Sequence, residues 1–145
     1  MSLTQTLCTS FKVGLFRGAF NFDTGTTQVY KLALYTAAAS LGAATTAYTT
    51  DGEIIGTGYV AGGDVLTVSQ IPTSSGTTAY INFSDVTWTG AVFVARGGLI
   101  YLEDGITNPS VAVLDFGADK STTPAGVFNV QFPTSSASTS IIRLA

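Results

Sequence analysis

Charged side chains are scarce in this chain, and that scarcity limits what the chain can become. Lysine, arginine, aspartate and glutamate together make up 10% of the 145 residues, and there is no histidine. A soluble domain carries about 25% charged residues, and a free protein surface about 25–35%. The mean hydropathy is also positive, at +0.38. We therefore expect much of the surface to be covered by other copies of the chain or by other proteins.

Length and charge bound the number of domains and the classes of partner. A chain of 145 residues fits one domain, residues 1–145, which buries roughly two-thirds of its unfolded surface. The six cations are scattered and the net charge is −3, so we expect no nucleic-acid partner, because phosphate neutralisation needs clustered cations. No apolar run reaches membrane-spanning length, and the first residues lack a signal-peptide pattern. We expect no membrane partner either.

Alternation of polar and apolar residues, rich in β-branched and aromatic types, indicates strands between residues 28 and 145. The alternation is clearest in residues 78–84, where Ala79, Ile81 and Phe83 share one face, and in residues 126–132. About eight short strands in one domain predict a mainly β fold, an antiparallel, jelly-roll-like β-sandwich. The predicted strands are residues 29–35, 64–71, 78–84, 91–95, 99–102, 111–116, 126–132 and 140–144.

Residues 1–20 follow a different period from the rest of the chain. Leu7, Phe11 and Leu15 recur every four residues, which places them on one stripe of a helix. Glycines within this stretch weaken helix formation, so the helix is predicted to be short. We interpret residues 1–20 as an N-terminal helix or arm that packs either on its own sandwich or on a neighbouring subunit.

The sequence offers few groups for catalysis. Without histidine, the serine–histidine–aspartate and cysteine–histidine arrangements are impossible, and the usual zinc ligand sets shrink to one cysteine and carboxylates. Three carboxylate pairs remain, Asp51 with Glu53, Glu103 with Asp104, and Asp115 with Asp119. The first two pairs adjoin a glycine, as is typical of turns; a calcium-like cation bridged by these carboxylates is the alternative. We expect no enzyme activity and no cofactor.

Aromatic and apolar residues near the predicted strand ends are the candidates for subunit contacts. Tyrosine and tryptophan are enriched in interfaces, and apolar residues of the N-terminal segment are able to lie on a neighbour. The alternative is that these side chains belong to the core of their own domain. The predicted contact residues are Leu7, Phe11 and Phe16 on the N-terminal segment, and Tyr48, Tyr59 and Trp88 at turns near the sheet edges.

Several segments, taken together and in order, give the chain a family resemblance. They are LCTSFK (7–12), YKLALYT (30–36), GTGY (56–59), VTWT (86–89), ARGGLIY (95–101), VAVLDFG (111–117) and FNVQFP (128–133). With these segments the chain resembles a family of short structural proteins of tailed-bacteriophage virions, over essentially its whole length. The resemblance implies a noncatalytic component of the phage particle with a mostly β fold, and it implies no catalytic or ligand-binding residue.

Within a virion, a domain of this kind suits several positions. A capsid decoration or cement protein binds the shell in many copies, often as a symmetric oligomer, and secures it by short-range packing. Low charge and threonine-rich strands favour this function, with copies of the chain itself and the major capsid protein, or another virion protein, as partners. A tail, neck or fibre component is the first alternative. The second is a small carbohydrate-binding β-sandwich that uses Trp88 and nearby tyrosines.

Overall fold

The computed structural model describes residues 2–145, which form a mainly β domain with one short helix. The predicted antiparallel β fold with a short N-terminal helix is confirmed, with ten strands instead of about eight. The elements are β1 (Thr6–Leu7), α1 (Thr9–Phe16), β2 (Val29–Tyr35), β3 (Asp64–Leu66), β4 (Val68–Ser75), β5 (Thr78–Phe83), β6 (Val86–Thr89), β7 (Val94–Glu103), β8 (Ser110–Ser121), β9 (Val127–Val130) and β10 (Ile142–Leu144).

The strands form three antiparallel sheets, an arrangement consistent with a β-sandwich. The largest sheet has five strands in the order β1-β8-β7-β2-β3, the second has the order β10-β5-β4, and the third pairs β6 with β9. Buried side chains from all three sheets and from α1 form one hydrophobic cluster. The domain therefore has a single core, and the turns and α1 lie around it.

Two neighbouring inner strands of the five-stranded sheet, β7 and β2, are covered on both faces. In β2, the four residues 32–35 are all 0% exposed, and β7 is buried from Gly97 to Leu102. A continuous apolar run, without alternation, is typical of a strand that is buried on both sides. By contrast, Phe128 and Val130 in β9 are buried while Asn129 between them is exposed, as the alternation in this segment predicts.

The glycine pair Gly97–Gly98 is the clearest difference from the sequence expectation. The sequence predicts a turn there, between strands at 91–95 and 99–102, whereas β7 runs through both glycines. A Cβ atom at Gly97 would collide with the Leu114 carbonyl oxygen, and one at Gly98 would lie 2.8 Å from the Leu32 side chain. The glycines allow neighbouring chains to approach closely inside the sheet, which is a tertiary requirement.

The predicted strand 64–71 is divided between two sheets. β3 pairs with β2, whereas β4 pairs with β5, so the chain changes sheets at Thr67. The strands β1 and β6 were not among the predicted ones, and β1 has two residues only. A strand of this length is too short to show an alternation.

The N-terminal segment is fastened to its own domain. The Thr4 amide donates to the Leu41 carbonyl at 3.0 Å and the Cys8 amide to the Val111 carbonyl at 2.9 Å. The predicted short helix is confirmed as α1, but it begins at Thr9, so Leu7 lies in β1 and not on the helical stripe. The segment was expected to pack either on its own sandwich or on a neighbouring subunit, and residues 2–9 pack on their own sandwich.

Candidate interaction surface

The six predicted contact residues lie in three different environments. Phe11 and Trp88 are buried, with 0% and 6% of their surface exposed. Leu7, Tyr48 and Tyr59 are half-buried. Phe16 is 95% exposed. Of the six, therefore, Phe16 is the one that presents its whole side chain to solvent.

Phe11 and Trp88 belong to the core, which corrects their assignment as interface residues. The Phe11 ring packs edge-on against the rings of Phe20 and Phe22, at centroid distances of 4.8 and 6.1 Å. Trp88 packs edge-on against Phe128 at 6.2 Å. Because its neighbours enclose each ring, neither ring is accessible to a partner in the folded domain. Alternation in β6, which turns Val86 and Trp88 inward, explains the burial of Trp88.

Tyr48 and Tyr59 meet at a buried carboxylate. Both hydroxyls donate to Glu53 at 2.6 Å, one to each carboxylate oxygen, and the Gly62 amide donates to the same group at 2.7 Å. Glu53 is 8% exposed. The Tyr59 hydroxyl also accepts a hydrogen bond from the Leu34 amide at 2.9 Å. The turn that carries Glu53 is thereby connected to the central strand β2.

Two more tyrosines complete this group, which we call the Glu53–tyrosine cluster (Glu53, Tyr35, Tyr48, Tyr59 and Tyr101). The Tyr48 and Tyr101 rings are stacked at 4.8 Å. The hydroxyls of Tyr35 and Tyr101 donate to backbone carbonyls at 2.6 Å. Burial raises the pKa of each tyrosine, to about 12 for Tyr101, and hydrogen bonding to Glu53 raises the pKa of Tyr48 and Tyr59 further. The phenols therefore stay protonated, and those of Tyr48 and Tyr59 act as donors to the carboxylate.

The remaining turn carboxylates are occupied in different ways. The Glu103 carboxylate forms an ion pair with the Lys31 ammonium at 2.9 Å. Asp104 accepts hydrogen bonds from the backbone of its own turn, from the Asn108 amide at 2.8 Å and the Ile106 amide at 2.9 Å, and these bonds hold its pKa below the usual range. Asp51 is exposed. Within residues 2–145, no three cysteine or acidic side chains converge as a metal site would require.

An apolar pocket lies beside α1. Its volume is about 220 Å³, and we call it the α1 pocket. It lies between α1, the segment that follows it and the strands β4, β5 and β10, and its walls carry no charged side chain. The residues that line it include Leu15, Phe20, Phe22, Ala79, Ile81 and Leu144. Leu15 of α1 lines the pocket, whereas Phe16, about 100° further around the helix, does not.

A second apolar surface lies around Ile55, which is 98% exposed. An antiparallel bridge joins Thr57 to Val92, which places Ile55 opposite Val94 two positions further along. Val92 and Val94 are 67% and 46% exposed. We call these three residues the Ile55 strip, and no sequence argument singled them out.

Another groove, of about 540 Å³, lies between β8 and β9. Lys120 is the one titratable side chain that lines it, among threonine, asparagine, glutamine and apolar residues. A lone ammonium supplies neither an acid–base pair nor a nucleophile with its base. The geometry of this groove therefore offers contact area without a reactive centre.

Comparisons with known proteins add no relative. Neither family models, nor curated proteins, nor solved structures give a match to this chain. In the part of the chain that the structure describes, no helix has the length and apolarity to cross a bilayer.

Proposed function

We propose that this chain is a noncatalytic structural subunit of a tailed-bacteriophage particle, and more narrowly a capsid decoration protein that stabilises the shell. Its partners would be copies of itself and the major capsid protein, in a virion assembled in the host cytoplasm. The proposal joins the resemblance of its segments to such proteins with the properties of its surface.

The exposure of large apolar side chains on a surface with few charges carries the proposal. Phe16, Ile55 and Ile106 are 95%, 98% and 88% exposed, and eight further large hydrophobic residues are exposed by 39–76%. The Thr57–Val92 bridge brings three of them together, Ile55, Val92 and Val94, and contiguous apolar surface marks sites of protein association. A subunit that is surrounded by others in a shell covers these side chains, whereas a free monomer leaves them in water.

The chemistry of the interior supports a noncatalytic function. The buried carboxylate of Glu53 accepts three hydrogen bonds from its own domain, so its lone pairs are directed at protein groups. Trp88, the ring on which a sugar would stack in the carbohydrate-binding alternative, is 6% exposed. Both features favour a structural protein over an enzyme or a sugar-binding module.

Cryo-electron microscopy of the phage whose genome encodes this chain tests the proposal. Density for this β domain in hundreds of copies over the shell supports the decoration function. Density at a single vertex in a few copies would replace it with a neck, tail or fibre function. Absence of the chain from purified particles, checked by mass spectrometry of the same preparation, would overturn the structural proposal.

A matched pair of phages makes the test functional. A phage that carries a stop codon early in this gene is compared with the parent phage under heat and low salt. If the chain secures the shell, the mutant particles release their DNA at a lower temperature, and added purified protein restores the parental temperature. Equal release temperatures for both phages would contradict a stabilising function.

A further inference from the structure

The groove between β8 and β9 is an antiparallel hairpin that opens after its first pair. At the turn that joins the two strands, the Thr123 amide donates to the Val127 carbonyl at 2.9 Å. The Val127 amide donates to the Thr123 hydroxyl at 3.2 Å. Beyond this pair the strands part, because β8 belongs to the five-stranded sheet and β9 pairs with β6. The groove of about 540 Å³ is the gap between them.

One edge of β9 has no neighbouring strand. In an antiparallel pair, alternate residues direct both the amide and the carbonyl at the partner strand, and the residues between them direct both groups away. The Phe132 amide donates at 2.8 Å to Asp85, which precedes β6, whereas Val127 faces the turn. Asn129 and Gln131 therefore direct their main-chain groups into the groove, which both residues line. Within residues 2–145, these groups have no hydrogen-bond partner across the groove.

The facing wall, at the end of β8, is also a free strand edge. The Thr122 amide donates to the Phe93 carbonyl on the β7 side at 3.3 Å. Its neighbours Ser121 and Thr123 therefore direct their main-chain groups away from β7, toward the groove. The strand β1 lies on that edge of β8 but pairs with residues 112–113 only. In the register of the turn, Ser121 is the residue that faces Asn129.

We propose that this groove receives one extended peptide segment of a partner protein, which pairs through its main chain with Asn129 and Gln131 of β9 and with Ser121 of β8. Unpaired strand edges are templates for a further strand. Strand addition takes its affinity from main-chain hydrogen bonds, and the side chains that line the groove set its specificity. The four residues of β9 span about 13 Å, so about four or five residues of the segment are held.

The side chains of the groove indicate the chemistry of that segment. Phe128 is buried and Phe116 is half-buried, with ring centroids 6.2 Å apart, so one wall is aromatic. Lys120 is exposed and is not among the ion pairs within residues 2–145. Side chains of an added strand alternate between two faces. We therefore expect a segment in which apolar, β-branched residues alternate with polar ones, and which carries a carboxylate near Lys120.

Amide hydrogen exchange of the full chain, resolved by residue, tests the pairing. In the free protein, the amides of Asn129 and Gln131 should exchange faster than those of Phe128 and Val130, which face β6. The probe is the peptide Thr-Val-Glu-Val-Thr-Val with blocked ends. At millimolar concentration it should slow exchange at Ser121, Asn129 and Gln131 by at least about 5-fold. The same peptide with every second amide N-methylated keeps its side chains but should bind at least about 10-fold more weakly.

Two proline variants form a matched pair. Thr87 of β6 lies opposite Asn129, and their side chains are joined by a hydrogen bond of 2.7 Å, which both Asn129→Pro and Thr87→Pro remove. Asn129→Pro deletes an amide that faces the groove, whereas Thr87→Pro deletes one on the outer edge of β6; edge positions of this kind tolerate proline. We expect Asn129→Pro to raise the peptide Kd by at least about 10-fold and Thr87→Pro to retain the wild-type Kd.

Lys120→Glu is a second, milder variant, since its side chain is exposed. It should raise the Kd of the glutamate peptide by about 3-fold. A peptide with lysine in place of the glutamate should show the reverse preference and bind Lys120→Glu more tightly than wild type. Circular dichroism of each variant establishes that it is folded. Equal affinities in all four combinations would overturn the assigned charge of the segment.

Other outcomes would overturn the pairing itself. Unchanged exchange at Ser121, Asn129 and Gln131 would exclude strand addition, and equal binding of the N-methylated peptide would replace it with an apolar contact. Slower exchange at the same amides when the chain alone is concentrated would assign the groove to a second copy in place of a partner protein. The virion function is decided separately: a chain that binds the peptide but is absent from particles retains the strand site and loses that function.

Discussion

The Glu53–tyrosine cluster and the face around the α1 pocket differ in whether their side chains have partners within the domain. In the cluster, a buried carboxylate and four tyrosines have hydrogen-bond partners within the domain, such as the 2.6 Å bonds to Glu53. On α1, the Phe16 ring is 95% exposed, and Leu15 of the same helix lines an apolar pocket. The polar groups of the cluster are satisfied within the domain, whereas the α1 face leaves a large apolar side chain in water.

The difference separates the side chains that stabilise the fold from those that are available for association. Polar groups buried in pairs give a defined fold when every member is satisfied, and within residues 2–145 no buried side-chain nitrogen or oxygen lacks a partner. Large apolar side chains that the core does not bury lie on the surface, where they favour association. Changes in the cluster should therefore alter stability, and changes at the α1 face should alter assembly.

Alkaline pH is expected to have the largest effect on stability. The pKa of Tyr35, Tyr48, Tyr59 and Tyr101 is raised in the folded chain, to about 12 for Tyr101, and is about 10 in an unfolded chain. Above about pH 10 the unfolded chain releases protons that the folded chain keeps. The stabilising difference is complete below about pH 10 and is lost as the pH rises toward 12.

The size of this effect follows from the number of buried tyrosines. Each fully buried tyrosine lowers the free energy of unfolding by about 1.4 kcal/mol per pH unit in that range. Tyr48 and Tyr59, which solvent reaches in part, contribute less. Urea unfolding measured from about pH 8 to pH 12 gives the slope, and the double variant Tyr48→Phe with Tyr59→Phe should have a shallower one. An equal slope in both proteins would contradict the role of the cluster.

Phe11→Ala is expected to have the next largest effect. Phe11 is 0% exposed and packs against Phe20 and Phe22, so truncation leaves a cavity that costs about 4 kcal/mol. The free energy of unfolding from urea titration at neutral pH measures this loss. A cost below about 1 kcal/mol would mean that the helix is only loosely attached to the core.

Glu53→Ala is expected to cost about 3 kcal/mol, because three buried donors lose their acceptor. These donors are the hydroxyls of Tyr48 and Tyr59 and the Gly62 amide. Asp51→Ala, two residues away in the same turn and exposed, is the matched control and should change stability by less than about 0.5 kcal/mol. Equal unfolding midpoints for the two variants would show that the carboxylate is dispensable.

Much of the fold follows from local pattern. The strand β2 has the predicted bounds, and the alternation in β9 gives the buried face correctly. The predicted turn at Gly97–Gly98 is wrong, because a turn and a close approach of two strands both favour glycine. Only the packing of Leu114 and Leu32 against these positions distinguishes the two cases, and that packing involves residues distant in sequence.

The candidate site was less accessible from the sequence. Phe16 lies about 100° around the helix from Leu15, so the spacing that places Phe11 and Leu15 on one stripe already separates Phe16 from them. This signal was present, and it distinguishes the buried ring from the exposed one. The Glu53–tyrosine cluster has no such signal, since it is assembled from a turn, a loop and two strands. The α1 pocket likewise depends on the tertiary contact of several strands.

Phe16→Ser is expected to have the smallest effect on the folded monomer and the clearest effect on assembly. Because the ring is 95% exposed, its removal should change the unfolding free energy by less than about 0.5 kcal/mol when the protein is dilute. If Phe16 lies in a contact between copies, the wild type gains stability at high concentration by mass action, and the variant does not. Urea unfolding at two protein concentrations separates the contribution of the fold from that of association. Unfolding curves that coincide in dilute solution and diverge in concentrated solution assign Phe16 to the interface. A difference that is independent of protein concentration assigns it to the fold.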